Sequence, residues 1–152
     1  MNVLILSAGG PAGKALTRCL KKDTSLCLIG TDCNSINLEF AETHRKYIIP
    51  KATDKNFIRA IINIIEKEKI NFIIAQNDKE IERLSRYRNL LNCKYFLPEH
   101  SIIKICQHKE ILHSILESDI PQHGDVNIEP VWIRATEGAG GRGSFKVDSQ
   151  EQ

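Results

Sequence analysis

The sequence predicts an α/β protein: a doubly wound parallel sheet in three layers, followed by a smaller, partial α+β unit. Three observations predict it. Apolar runs alternate with amphipathic stretches in the order βαβαβαβαβ between residues 2 and 98. The runs are continuously apolar, as strands covered on both faces must be. After Pro98 the pattern changes to two helical stretches and then two strands joined by a glycine-rich loop. The 152 residues are enough to bury one good core without staples. The expected division is residues 1–98 and 99–152.

The first strand is read over residues 2–7, within "NVLILSAGG", and is closed by glycines. "PAGKALTRCLKK" is a helix entered at Pro11, where the missing N–H costs nothing. Ala12, Leu16, Cys19 and Leu20 are expected near one face. "LCLIGTD" is the second strand, and "NSINLEFAET" a short helix capped by Asn34 or Ser35. "KYIIP" is the third strand. "DKNFIRAIINIIEKEK" repeats Phe57, Ile58, Ile61, Ile62 and Ile65 at helical spacing, with Asp54 as its cap. "INFIIAQ" is the fourth strand, "NDKEIERLSRYRNLLN" a polar-faced helix and "KYFLP" the fifth strand. "EHSIIKICQ" and "HKEILHSILESD" read as two helices or one bent helix. "PVWIRATEGAGGRGSFKVDS" reads as strand, glycine loop and strand.

Charge excludes some functions. Lys and Arg number 21 against 19 Asp and Glu, a net +2. The basic residues Lys21, Lys22 and Arg83 to Arg88 are diluted by Asp23, Glu80 and Glu82, so no nucleic-acid partner is expected. Five cysteines at no CxxC spacing, several in apolar runs, read as buried free thiols in a reducing, cytoplasmic setting. No run approaches a membrane span. Met1 and Asn2 lead straight into a strand, so no signal peptide is expected.

Two glycine clusters carry the candidate chemistry. In "SAGGPAG", Gly10 and Gly13 match the second and third glycines of a dinucleotide fingerprint, but Ala8 fills the first place. Asp32, at the end of strand two, stands where a ribose-binding acid would. Three readings stay open: a nucleotide, a small substrate or anion at the helix N-terminus, or tight turning and packing alone. In a parallel sheet the C-terminal strand ends line the binding crevice. Gly9, Gly10, Asp32, Asn77 and Asp78 are therefore candidate substrate-binding residues, with Glu80 just beyond. Asp78 serves equally well as a helix start.

In "EGAGGRG", residues 137–143, the glycines Gly138, Gly140, Gly141 and Gly143 cost more chain entropy than a plain hairpin needs. With Arg142 they suit a flap whose N–H groups meet phosphates, and Arg134 on the preceding strand would add a guanidinium. A plain surface loop is the competing reading. No GK[ST] follows, so this is not a Walker loop. The histidines His44, His100, His108, His113 and His123 are too scattered for a metal site, and no nucleophile–base pair emerges from spacing. Metal ligands and catalytic residues are left unassigned.

In their order, these segments resemble an ATP-grasp protein of the carbamoyl-phosphate synthase large-subunit group. "VLILSAGGPAGKALTRCL", "IGTDCN", "FAETHRKYIIP", "NFIIAQNDKEIERL" and "YFLPEH" are similar to the Rossmann-like pre-ATP-grasp domain. "CQHKEILHSILESDIP" resembles the opening of the ATP-grasp region, and "PVWIRATEGAGGRGSFKVDS" its nucleotide strand and flap. The resemblance implies an ATP-dependent ligase that turns a carboxylate into an acyl phosphate for attack by an amine or similar nucleophile. It also implies ATP and Mg2+ as cofactors, small-molecule partners and a homodimer. By the same resemblance Lys109, Arg134, Gly138, Gly140, Gly141, Arg142 and Gly143 meet ATP, with His108 where the family has an acid. Two departures stand out. Only "QHGDVNIE" separates Pro121 from Pro130, where the family has a further strand and helix. The distal half, with the magnesium ligands, lies outside the 152 residues, so an inactive N-terminal piece is expected. The alternatives from the residues alone are a non-catalytic nucleotide- or small-molecule-binding module and an NAD(P)-dependent oxidoreductase.

Overall fold

The computed structural model describes residues 1–116, 131–136 and 143–147. The chain forms two compact units, Met1–His100 and Ser101–Gln152. The first holds β1 (Asn2–Ile5), α1 (Pro11–Leu20), β2 (Cys27–Asp32), α2 (Ser35–Glu39), β3 (Arg45–Ile48), α3 (Phe57–Lys67), β4 (Phe72–Ile74), α4 (Asp78–Arg86), a 3-10 turn (Arg88–Leu90) and β5 (Lys94–Tyr95). All five strands are parallel, in the order β3-β2-β1-β4-β5. The chain thus leaves β1 in one direction, returns, and continues in the other, which puts a topological switch point between β1 and β4.

Strand alternation divides the core between two faces. Leu4, Leu6, Ile29 and Ile73 pack with Phe57, Ile58, Ile61, Ile64 and Ile65 of α3 and Leu84 of α4. Val3, Ile5 and Leu28 pack with Leu38 of α2, and Leu16 and Leu20 of α1 lie against them. Each buried aliphatic contributes about 1.5–3 kcal/mol, so α3 alone commits five such side chains to the sheet. The edge strand β3 exposes Arg45 and Lys46, charges that blunt it against pairing with another chain. Its Tyr47 hydroxyl and Arg45 guanidinium both donate to the buried Glu68 carboxylate at the end of α3. The Tyr47 hydrogen bond, then the Arg45 contact, holds that carboxyl below its usual range. Its stabilising effect is present above the ordinary carboxylate range and is lost as pH falls.

Several local expectations are corrected. The buried stripe of α1 is Gly13 and Thr17, with Leu16 and Leu20 half-buried, whereas Ala12 and Cys19 face outward. Small residues win that face because the helix backbone lies against the loop before it, and Thr17 satisfies its hydroxyl on the Gly13 carbonyl at 2.7 Å. Asp54 is not the cap of α3; its carboxylate accepts from the Asn56 N–H at 2.7 Å, in the turn that precedes the helix. The long helix expected over residues 77–92 breaks at Tyr87, and Arg88 donates to the Leu97 and Pro98 carbonyls at 2.7 and 3.0 Å. None of the five cysteines is in a disulfide, yet Cys19, Cys33 and Cys106 are exposed rather than buried.

The second unit contains α5 (His100–Gln107, its first residue in the first unit), α6 (Lys109–Leu116), and the strands β6 (Val131–Arg134) and β7 (Ser144–Val147), an antiparallel pair with Arg134 opposite Ser144. No described helix is long and apolar enough to cross a membrane.

Two glycines set the turn after β1. A Cβ on Gly9 would lie 1.8 Å from the Asn37 carbonyl oxygen of α2, and one on Gly13 2.4 Å from the Ser7 carbonyl oxygen. A Cβ on Gly10 meets only the Ser7 oxygen, at 3.3 Å. Gly9→Ala should therefore cost about 1–3 kcal/mol or more in urea denaturation, and Gly10→Ala well under that. Equal midpoints for the two variants would contradict the close packing of this loop on α2.

Candidate functional site

The site is built where β1 and β4 end. Beyond β1 the chain stays pinned to both neighbours: Leu6 N–H donates to the Ile74 carbonyl and Ala8 N–H to the Thr31 carbonyl, each at 2.9 Å. Between them Ser7 adopts φ 48°, the left-handed region, at a cost of roughly 1–2 kcal/mol for a residue with a Cβ. That conformation is held by contacts on both sides of the residue. The Ser7 carbonyl accepts from Gly10 N–H at 3.1 Å, and the Ser7 hydroxyl donates to Glu80 Oε1 at 2.9 Å.

Glu80 lies in the first turn of α4. Asn77 caps that helix, its side-chain oxygen accepting from Lys79 N–H at 2.9 Å. Glu80 holds the place three residues on from which a glutamate normally reaches back to the cap's N–H. Here the carboxylate turns to Ser7, and the Asn77 backbone N–H adds a smaller lowering effect on its pKa. Glu80 is 7% exposed, and its Oε2 has no hydrogen-bond partner. Burial, with a smaller contribution from the Asp32 carboxylate, pushes its pKa up to about 7, against the lowering effect of Ser7 and the Asn77 amide. Gln76, at the end of β4, buries an amide nitrogen that also lacks a partner.

Asp32, 4% exposed at the tip of β2, accepts from Asn34 N–H at 2.9 Å and so shapes the entry to α2. Asn34 is the cap there, accepting from Ile36 and Asn37 N–H. Of the substrate-binding candidates, then, Gly9 is buried beneath α2, and Gly10 is half-buried at the start of α1. Asn77 and Asp78 are exposed at the start of α4, and Asp32 is held close enough to act on Glu80. Neither Ser7 nor the inward turn of Glu80 is legible in the sequence as part of a site. The N-x-x-E spacing of Asn77 and Glu80 was the available signal for the second. A serine shortly before two glycines, Gly9 and Gly10, carries no local signal of a left-handed conformation.

In the second unit, Lys109 Nζ donates to the Ala135 carbonyl and Lys109 N–H to the Thr136 carbonyl, both at 3.0 Å. Gly143 has φ 69°, and its carbonyl accepts from Ala135 N–H at 2.8 Å. A Cβ there would also lie 2.9 Å from that of Ala135, so this position calls for glycine on two counts. Arg134 is placed by its backbone at the end of β6. Gly138, Gly140, Gly141 and Arg142 lie outside the described residues.

Chemically, the crevice of the first unit offers a buried carboxyl that is half ionised near neutrality and has one oxygen to spare. It can accept a hydrogen bond from a ligand or hold a proton. The folded chain binds that proton more tightly than the unfolded chain, so stability falls as pH rises from the ordinary carboxylate range through about 7. The shift from 4.5 to about 7 corresponds to roughly 3 kcal/mol. Glu80→Gln should abolish this component, so that the wild-type chain loses stability relative to the variant between pH 5 and 8 in urea denaturation. Parallel pH profiles would refute the raised pKa.

Comparison with known proteins gives the fold its relatives. The N5-carboxyaminoimidazole ribonucleotide synthetase of Thermotoga maritima superposes with a TM-score of 0.67 at 16% identity, covering 99% of this chain and 42% of that one. An L-amino acid ligase from Bacillus licheniformis gives 0.69 at 13% identity, covering 99% and 39%. The biotin carboxylase domain of the 2-oxoglutarate carboxylase of Hydrogenobacter thermophilus, a dimer in complex with MgADP, ADP and bicarbonate, gives 0.64 at 15% identity, covering 98% and 38%. The chain thus spans about two fifths of the length of each, and at these identities the likeness is one of fold. No curated protein matches. Residues 3–94, more than half of the chain, match the family model for the PylC-like N-terminal domain, so the chain belongs to the PylC-like family through that domain, whose five-stranded parallel sheet has the pre-ATP-grasp fold.

Proposed function

We propose that this chain is the N-terminal part of an ATP-dependent ligase of the ATP-grasp type, with its small-molecule substrate in the switch-point crevice and ATP at the glycine-rich hairpin. The observation that carries the second assignment is the position of Lys109. Its ammonium and its backbone N–H are both held on the strand end that leads into residues 137–143. A cation fixed there, with Arg134 at the end of β6 and glycine N–H groups beyond, suits a polyphosphate. In the proposed reaction a substrate carboxylate takes the γ-phosphoryl group of ATP and ADP departs. An amine or similar nucleophile then attacks the acyl carbon and releases phosphate. Donors at the flap would stabilise the charge that develops on the transferring group.

The crevice would contribute recognition, with Glu80 Oε2 accepting a donor from the substrate beside Asp32, Asn77, Asp78 and Gly10. Magnesium is the implied metal. Among the described residues no three His, Cys, Asp or Glu side chains converge on one point, so they do not fit such a site, and no step is assigned to the ion. The proposed setting is the cytoplasm, supported by five cysteines outside any disulfide. The proposed assembly is a homodimer, as in the related biotin carboxylase structure.

Calorimetric titration of the 152-residue chain with ATP tests the assignment. Binding should be saturable, and Lys109→Ala or Arg134→Ala should weaken it about tenfold, since each removes a charge-assisted phosphate contact. No binding by the folded chain, or unchanged affinity in both variants, would overturn the ATP assignment.

A further inference from the structure

Away from the crevice, the outer face of α4 and the loop after β3 enclose a groove of about 250 Å³, lined by Ala52, Thr53, Lys79, Glu82, Arg83 and Arg86. Three cations face one carboxylate there, and their spacing puts them on one helical stripe, where like charges repel. Only part of this is explained by the helix itself. Arg86, in the last turn, is favoured by the helix dipole, but Lys79, in the first turn, opposes it. Glu82 accepts from Lys79 at 3.3 Å across a largely exposed contact that contributes little. The Arg83 Nε is buried and has no hydrogen-bond partner, so the Nη groups are the part of that guanidinium left to serve a ligand in the groove. Tyr87 lies under both guanidinium groups, 5.1 Å from Arg83 and 5.9 Å from Arg86, and restrains them beside the groove. The opposite wall adds the Thr53 hydroxyl and no acid; Lys51 and Lys55 flank it in sequence against Asp54.

We propose that this groove binds a compact dianion, a phosphoryl group, with the Arg83 guanidinium as its principal donor and Lys79, Arg86 and Thr53 around it. A bound phosphoryl group would relieve the repulsion along the stripe. The planar guanidinium presents two parallel N–H groups to such a ligand, which a lysine cannot. The site uses none of the residues assigned to ATP or to the crevice.

The test is a titration of the 152-residue chain with inorganic phosphate, followed by amide chemical shifts at constant ionic strength, with chloride as the control anion. Residues 52–53 and 79–87 should shift saturably with phosphate and not with chloride. Arg83→Gln should weaken the response about tenfold, Arg83→Lys should not restore it, and Glu82→Gln should tighten it. Circular dichroism establishes that each variant is folded. Equal responses to phosphate and chloride, or a phosphate response that survives Arg83→Gln in folded protein, would overturn the proposal. A phosphate monoester that binds more tightly than inorganic phosphate would identify the group as part of a larger ligand; equal affinity would identify the free ion.

Discussion

The crevice depends on how closely the backbone after β1 approaches its surroundings. Gly9 lies against the backbone of α2, and Gly13 lets α1 settle on the loop that precedes it. With both contacts made, and with Leu6 and Ala8 bonded to opposite neighbours in the sheet, the chain between them has little freedom. Ser7 takes up the strain in a left-handed conformation, and its hydroxyl reaches Glu80. The glycines of the first cluster thus act largely by packing, and the polar group they set in place is a serine.

That arrangement explains the electrostatics. A carboxylate in the first turn of a helix is normally stabilised by the helix dipole and its cap. Glu80 is turned inward to Ser7, loses most of its water, and stands near a second buried carboxylate, Asp32. Desolvation wins, and the proton is held up to about pH 7. Such perturbed groups concentrate where ligands bind, at the C-terminal ends of parallel strands beside a switch point. Glu68, at the C-terminal end of α3, shows the contrast: two donors, Tyr47 and Arg45, meet it, and its pKa falls instead.

Much of the fold was legible because the core obeys period and composition. The strands read as continuous apolar runs, and α3 announced itself through Phe57, Ile58, Ile61, Ile62 and Ile65, of which Ile62 is half-buried and the others buried, with Ile64 as the fifth buried position. Asn34 was legible as a cap because its chemistry is local. Local pattern fails where tertiary contacts override local preference. The buried face of α1 follows small size rather than hydrophobicity, with Gly13 and Thr17 inside and Ala12 and Cys19 outside. The helix after β4 ends at Tyr87 because Arg88 finds carbonyl acceptors nine and ten residues downstream. Asp32, Asn77 and Asp78 were legible as residues at strand ends. The Ser7–Glu80 bond, spanning 73 positions, was not, because no local pattern connects the two residues.

The switch-point crevice is organised around one half-satisfied carboxyl, Glu80, and its charge can be observed directly. The measurement is a carbon-13 NMR titration of the Glu80 side-chain carboxyl in the folded chain, repeated in Ser7→Ala. The predicted midpoint is about 7, and it should rise further when the Ser7 donor is removed. A midpoint in the ordinary glutamate range of about 4.3, unmoved by the Ser7 substitution, would contradict the account.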